Sequence, residues 1–341
     1  MVQSPVAAFS LGKGRGGWSN PAMPTARRAV IDVGTNSVKL LVADVAGREV
    51  QLVLEDSKQT RLGRGFYETH RLQPEPLAQT GRAVAAFANL ARKHGAESVR
   101  IIATSAAREA KNPGDLMVEI AEATNLRLEI LTGEQEAEWA FRGATSNPKL
   151  ATEPLLLLEV GGGSTQFILG QGDEKHFRQS HPLGAVRLLE RIPHADPPKA
   201  EELAASREWL RKFLDASVRA ELEPALKREV KIHEQHHLVR LVGTGGTATV
   251  LVRMENGMND YDRERIEATR LSLKQVRSWV ERLWKLPLAE RRQIPGLPKE
   301  RADVMLTGIL IYESVMEAFE FPELRVSTRG LRFAAVMDDR Q

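Results

Sequence analysis

A strand–turn–strand pattern occurs twice in this chain, 127 residues apart. Residues 30–41 read VIDVGTNSVKLL and residues 157–168 read LLEVGGGSTQFI. In that register Asp32 aligns with Glu159, Gly34 with Gly161, Ser37 with Ser164, and Leu40 and Leu41 with Phe167 and Ile168. Each copy runs an apolar strand into an acid, turns through glycine and hydroxyl residues, and leaves along a second apolar strand. A unit that recurs once per half predicts duplicated domains whose two equivalent loops face a shared cleft. A length of 341 residues fits two domains of about 150 residues each.

Strand and helix patterns alternate around each copy. Residues 29–45 predict two strands, with further strands near 50–59, 98–103 and 126–131 and helices over 75–94, 113–123 and 134–143. After the linker-like stretch TSNPKLATEP the pattern restarts at 155. A mostly helical run follows over 199–229, then a strand at 238–242, a long helix over 299–319, a short strand at 324–327 and a last helix from Leu331. Such alternation predicts an α/β layered fold. The expected division is a disordered extension over 1–26, a first domain over 27–147 and a second over 148–341, the last helix packing back on the first domain.

Composition removes several function classes. There is no cysteine, so thiol nucleophiles, disulfide frameworks and thiolate metal sites are excluded. No apolar run approaches the roughly 20 residues that span a bilayer. The first 23 residues lack the apolar core of a signal peptide, so the expected location is cytoplasmic. The net charge of +3 originates in the first 28 residues, where Lys13, Arg15, Arg27 and Arg28 stand without an acid; the rest carries 3 − 4 = −1. A neutral body and 5% aromatics argue against a nucleic-acid partner.

The chemistry lies in the loops. Glycine lets backbone approach a ligand closely, and successive N–H groups in such a turn point into an anion-binding concavity. A carboxylate at the strand end can hold Mg²⁺ or its waters, which bridge to phosphate oxygens. The two loops therefore read as phosphate cradles, each with a metal-facing acid; two plain hairpin turns are the simpler alternative. A third glycine-rich element, Gly243-Thr244-Gly245-Gly246-Thr247, sits between a strand and a helix, where either phosphate binding or close strand–helix packing would place it. The segment His233-Glu234-Gln235-His236-His237 fits the H-E-x-x-H zinc pattern, but a strand follows at once and it reads as a polar connection.

Six motifs in order carry a family resemblance: Asp32-Val-Gly-Thr-Asn-Ser37, Thr104-Ser-Ala-Ala-Arg108, Thr132-Gly-Glu-Gln-Glu136-Ala, Glu159-Val-Gly-Gly-Gly-Ser-Thr165, Gly243-Thr-Gly-Gly and Arg301-Ala-Asp303. From residue 29 to about 338 the chain resembles the exopolyphosphatase and guanosine pentaphosphate phosphohydrolase (Ppx/GppA) family in its short form. The resemblance implies two actin-like domains of the ribonuclease H-like superfold with the active site in the cleft between them. It implies release of the terminal phosphate of inorganic polyphosphate or of pppGpp, with Mg²⁺ or Mn²⁺ as cofactor. Glu136 matches the family's general base, and Arg108 matches an arginine placed to clamp phosphate. Gly34, Thr35, Asn36, Ser37, Gly161, Gly162, Gly163, Ser164, Thr165 and Gly245 would bind phosphates, with Asp32 and Glu159 facing the metal. The expected partners are polyphosphate or guanosine penta- or tetraphosphate, with neither nucleic acid nor membrane, and a homodimer among the assemblies allowed.

The chain departs from the family pattern at three positions. The family usually has Asp where Glu159 stands and Glu where Gln166 stands, and often an acid where Gln135 stands. Glu159 and Gln166 motivate a second reading, a weakly active or inactive protein of the same fold that senses (p)ppGpp or polyphosphate. A kinase of the superfold is the remoter rival; it would need an adenosine pocket on the third glycine loop.

Overall fold

A computed structural model of the chain describes residues 25–232 and 239–339. The expected extension over 1–26 lies outside the described residues up to its last two, and Ala26 already belongs to the first strand. The H-E-x-x-H segment, His233 to His237, also lies outside them.

Two sheets organise the described residues. The first contains β1 (Ala26–Val33), β2 (Ser37–Ala46), β3 (Glu49–Gln59), β4 (Ser98–Ala103) and β5 (Leu128–Ile130), in the order β3-β2-β1-β4-β5. The second contains β6 (Leu155–Val160), β7 (Thr165–Gln171), β8 (Glu174–His181), β9 (Arg240–Thr244), β10 (Arg270–Ser272) and β11 (Glu323–Val326), in the order β10-β11-β9-β6-β7-β8. The plans are equivalent. Each central strand, β1 or β6, pairs antiparallel with the next strand of its hairpin and parallel with β4 or β9 on its other side. A third antiparallel strand and a second parallel one complete both sheets, and β10 adds an antiparallel edge.

Both faces of each sheet are covered, which is why the central strands read as nearly continuous apolar runs. On one face of the first sheet, Ile31, Val33, Leu40 and Val42 share a core with Val84 and Phe87 of the helix Pro74–Lys93. On the other face, Val30, Leu41 and Ile102 meet Trp139 of the helix Gly133–Thr145 and Phe333 of the helix Leu331–Met337. The chain's last helix thus packs on the first sheet. The helix Gly133–Thr145 serves both sheets, since Ala137, Ala140, Phe141 and Ala144 bury against Leu155, Leu157 and Ile168. It crosses the entry to the last helix so closely that a Cβ on Gly143 would collide with the Gly330 carbonyl. The start of that shared helix consequently lies at the seam between the sheets.

Candidate active site

Both hairpin turns close with the same bond. The Gly34 N–H donates to the Ser37 carbonyl at 3.0 Å, and the Gly161 N–H donates to the Ser164 carbonyl at 2.9 Å. The turns abut across the seam. A Cβ on Gly162 would lie 2.9 Å from the Thr35 Cβ, and one on Gly163 would collide with the hydroxyls of Ser105 and Tyr67. Any side chain there would force the two loops apart. The third glycine element joins them: Gly245, at φ +82°, opens the helix Gly245–Glu255 and lies beneath the Glu159 carboxylate. The three elements enclose a narrow cavity of about 60 Å³, into which Asp32, Lys39, Glu136, Glu159 and Arg301 also project. Lys39, Gly245, Gly246 and Arg301 form its common wall with a wider cavity of about 770 Å³.

Buried polar atoms without partners cluster here. Asp32 Oδ1, Asn36 Nδ2, Glu159 Oε2, Gln166 Oε1 and Arg301 Nε have no hydrogen-bond partner among the described residues. Buried polar groups are almost always paired, so such a concentration marks a ligand position. Burial raises the pKa of Asp32, opposed by the nearby charges of Lys39 and Arg332. Burial pushes Glu159 up to about 7, against the attraction of Lys39 and with the help of Glu136 and Asp32. The same desolvation lowers the Lys39 ammonium and brings Arg301 down to about 10. The cavity therefore holds acids and cations that each await a compensating ligand charge.

Glu136 stands in the first turn of the helix Gly133–Thr145 and is only 7% exposed. Burial raises its pKa, opposed by Arg108 through charge and hydrogen bond. Arg108 Nη1 donates to Glu136 Oε2 at 2.8 Å and to the Leu131 carbonyl at 3.1 Å. The Ser164 hydroxyl lies 3.4 Å from Glu136 Oε1, and the Gln166 amide donates to that hydroxyl at 2.9 Å. Gln135 completes a capping box with Thr132, a role that a glutamine fills as well as an acid.

Most of the residues expected at the site come together. Asp32, Gly34 to Ser37, Glu136, Glu159, Gly161 to Ser164 and Gly245 all line the cavity. Two expected residues are used differently. Thr165 does not line the cavity; its hydroxyl donates to the Leu183 carbonyl at 2.6 Å and braces the strand. Arg108, expected on phosphate, lies behind Glu136 rather than on the cavity wall.

Two charged wall residues were not among those expected at the site. Arg301 comes from the Arg301-Ala-Asp303 motif, whose Asp303 instead takes the Arg61 guanidinium at 2.6 Å. Lys39 is the cross-strand partner of Asp32, as Gln166 is of Glu159. The 127-residue register also pairs Lys39 with Gln166, so extending the repeat by two polar positions would have found it.

The model of the Ppx/GppA phosphatase family matches residues 41–339. The chain belongs to that family. Exopolyphosphatase 2 of Mycobacterium tuberculosis (strain ATCC 25618 / H37Rv) is 36% identical over 303 residues, covering 86% of this chain and 91% of the relative. The guanosine-5'-triphosphate,3'-diphosphate pyrophosphatase of Photobacterium profundum is 26% identical over 322 residues, which is 94% of this chain and 60% of that one. Among solved structures, the Aquifex aeolicus Ppx/GppA family member superposes with a TM-score of 0.72 at 30% identity, covering 92% of this chain and 97% of its own. An exopolyphosphatase from Cytophaga hutchinsonii gives 0.77 at 26% identity over 90% and 96%. The duplicated sheets are thus those of the two-domain actin-like fold, and the Ppx/GppA motifs fall around the cleft between them.

Proposed function

We propose that this Ppx/GppA protein hydrolyses the terminal phosphoanhydride of inorganic polyphosphate or of pppGpp, using Glu136 to take the proton from the attacking water. The observation that carries this reading is the convergence of both glycine turns on a buried carboxylate held at 2.8 Å by Arg108. The turn N–H groups and the Ser37 and Ser164 hydroxyls would hold the terminal phosphate, and Lys39 and Arg301 would neutralise the phosphates behind it. The water oxygen forms a bond to the terminal phosphorus and the bridging P–O bond breaks. One proton passes to Glu136, and the leaving phosphate departs with the bridging oxygen.

Asp32 and Glu159 would hold a divalent cation, Mg²⁺ or Mn²⁺. Their orphaned, buried carboxylate oxygens suit one, although no cluster of three acids or histidines forms a full cage among the described residues. Two carboxylates with the remaining positions left to water and phosphate is an ordinary Mg²⁺ arrangement. Such an ion would offset charge on the phosphate oxygens. The test is phosphate release from long polyphosphate, short polyphosphate and pppGpp, with Mg²⁺ and with Mn²⁺. Release from at least one substrate is expected. Binding without release would support the sensing role that Glu159 and Gln166 raise.

A further inference from the structure

Past Gly163 and Ser105, which line the narrow cavity, stands one bulky side chain that belongs to the next cavity's wall. Tyr67 belongs to the short helix Phe66–Thr69, which reaches from the first half of the chain across the seam. Its hydroxyl ends against Gly163, between Ser105 and Thr35, without a well-aligned hydrogen bond. The ring lies under the Arg187 guanidinium, 4.3 Å from its centroid. Arg187 is fixed in turn: Nε donates to the Gly163 carbonyl at 2.7 Å, and Nη2 donates to the Glu109 carboxylate at 2.7 and 2.5 Å. From the other side, Glu190 accepts the backbone N–H groups of Gly65 and Tyr67 at 3.0 and 3.4 Å. Tyr67, a residue of the first half, is therefore held by two side chains of the second-half helix Ala185–Arg191.

Behind Tyr67 the space opens again. A cavity of about 490 Å³ lies there, bordered by Tyr67, Arg187, Arg191, Trp209 and Phe213. The molecule thus has a wide cavity, a narrow reactive one and a second wide one in series, with Tyr67 and Arg187 separating the last two. At the rear cavity Arg187 and Arg191 stand against Glu68 and Glu190, so formal charge there is balanced and it is the bulk of the ring that separates the two spaces.

We propose that Tyr67, clamped by Arg187, is the end stop that fixes which anhydride is cut. This rests on the phosphohydrolase reading above. A phosphate chain entering past Lys39 and Arg301 comes to rest with its terminal phosphate between the two turns, and no room remains for another phosphate beyond it. Only the last anhydride then meets the water held by Glu136. Without the ring, a chain can slide on towards Arg187 and Arg191, and the same chemistry falls on an internal anhydride. Each event still consumes one water, forms one P–O bond and breaks one bridging P–O bond. The products become pyrophosphate or longer fragments in place of orthophosphate.

The experiment compares the full chain with Tyr67→Gly and Tyr67→Phe, each checked by thermal melting. The substrates are pppGpp, long polyphosphate, and long polyphosphate esterified at both ends. Wild type and Tyr67→Phe should give orthophosphate alone and leave the blocked chain intact. Tyr67→Gly should release pyrophosphate and longer fragments and cut the blocked chain. A folded Tyr67→Gly that still yields only orthophosphate and spares the blocked chain overturns the proposal. So does a folded Tyr67→Gly with no turnover, since the ring would then belong to the reactive site rather than limit it. Failure of the underlying reading looks different: wild type itself releases phosphate from none of the substrates.

Discussion

Replacing Glu136 by glutamine removes the proton acceptor and little else. Glutamine is isosteric, and its carbonyl can still accept from Arg108, now 2.8 Å from Glu136 Oε2. The loss of a buried charge relieves desolvation on one side and weakens a charge-assisted bond on the other, so the two effects oppose each other in stability. Turnover has no such compensation. General-base removal costs about 10²–10⁴ in rate, or about 3–5 kcal/mol of barrier. Phosphate release by the variant should fall by at least about 10² while KM stays within a few-fold, because the phosphate-holding groups are untouched. A companion variant, Arg108→Gln, tests the cause of the acidity. Burial raises the Glu136 pKa and Arg108 opposes it. Removing Arg108 must raise the pKa further, and the base works only when unprotonated, so the acid limb of the kcat profile should move to higher pH. The assay is phosphate release from pH 5 to 9 for the three proteins, with melting curves alongside. Wild-type turnover in Glu136→Gln, or an unmoved acid limb in Arg108→Gln, would refute the assignment.

Arg301→Met should weaken binding of inorganic pyrophosphate, read by calorimetry, yet melt no lower than wild type, because it removes a desolvated cation whose Nε lacks a partner among the described residues. Gly184→Ala should lower stability by about 1–3 kcal/mol, since its Cβ would stand 2.5 Å from the Gly162 backbone, which cannot rotate away; an unchanged urea midpoint would count against so tight a packing of the second turn. His176 Nδ1 lies 2.5 Å from the Glu229 carboxylate, and that hydrogen bond raises the imidazole pKa above its ordinary 6.5. The stabilisation is therefore complete below about pH 6.5 and fades as pH rises through the higher folded-state value. The melting-temperature gap between wild type and His176→Gln should narrow from pH 5.5 to pH 8.5; a gap that widens would reverse the linkage.

The repeat made the fold legible because it recorded geometry that both halves need. An acid, two residues on a glycine, and three further on a serine are the positions that close each turn with the same N–H to carbonyl bond. The central strands showed through their apolar runs and the last helix, Leu331–Met337, through its nearly unbroken hydrophobicity, whereas the polar strands β8 and β10 gave no such signal. What stayed hidden depends on pairing across the sequence. Arg108 carries no mark of facing Glu136, 28 residues on, rather than a ligand. Thr165 has the residue type of a phosphate ligand, yet strand register turns its hydroxyl to Leu183. Tyr67 lies in a one-turn helix too short to show a period, and only the assembled seam puts its ring beside Gly163.

Duplication built a symmetric cradle, whereas hydrolysis needs one attacking side. The outermost parallel strand of each sheet shows how the symmetry is broken. β5 leads into the helix Gly133–Thr145, and its counterpart β11 leads into the helix Leu331–Met337. These helices occupy equivalent topological places and cross at Gly143 and Gly330. At the first turn of one stands Glu136, a buried acid with its own arginine; at the first turn of the other stands Leu331, which also lines the cavity. An acid there as well would set a second buried carboxylate beside Asp32 and Glu159, whose pKa values burial already raises. The leucine leaves that wall dry and unable to accept a proton. On the proposed reading, water activation would fall on the Glu136 side alone, with both turns left to hold phosphate.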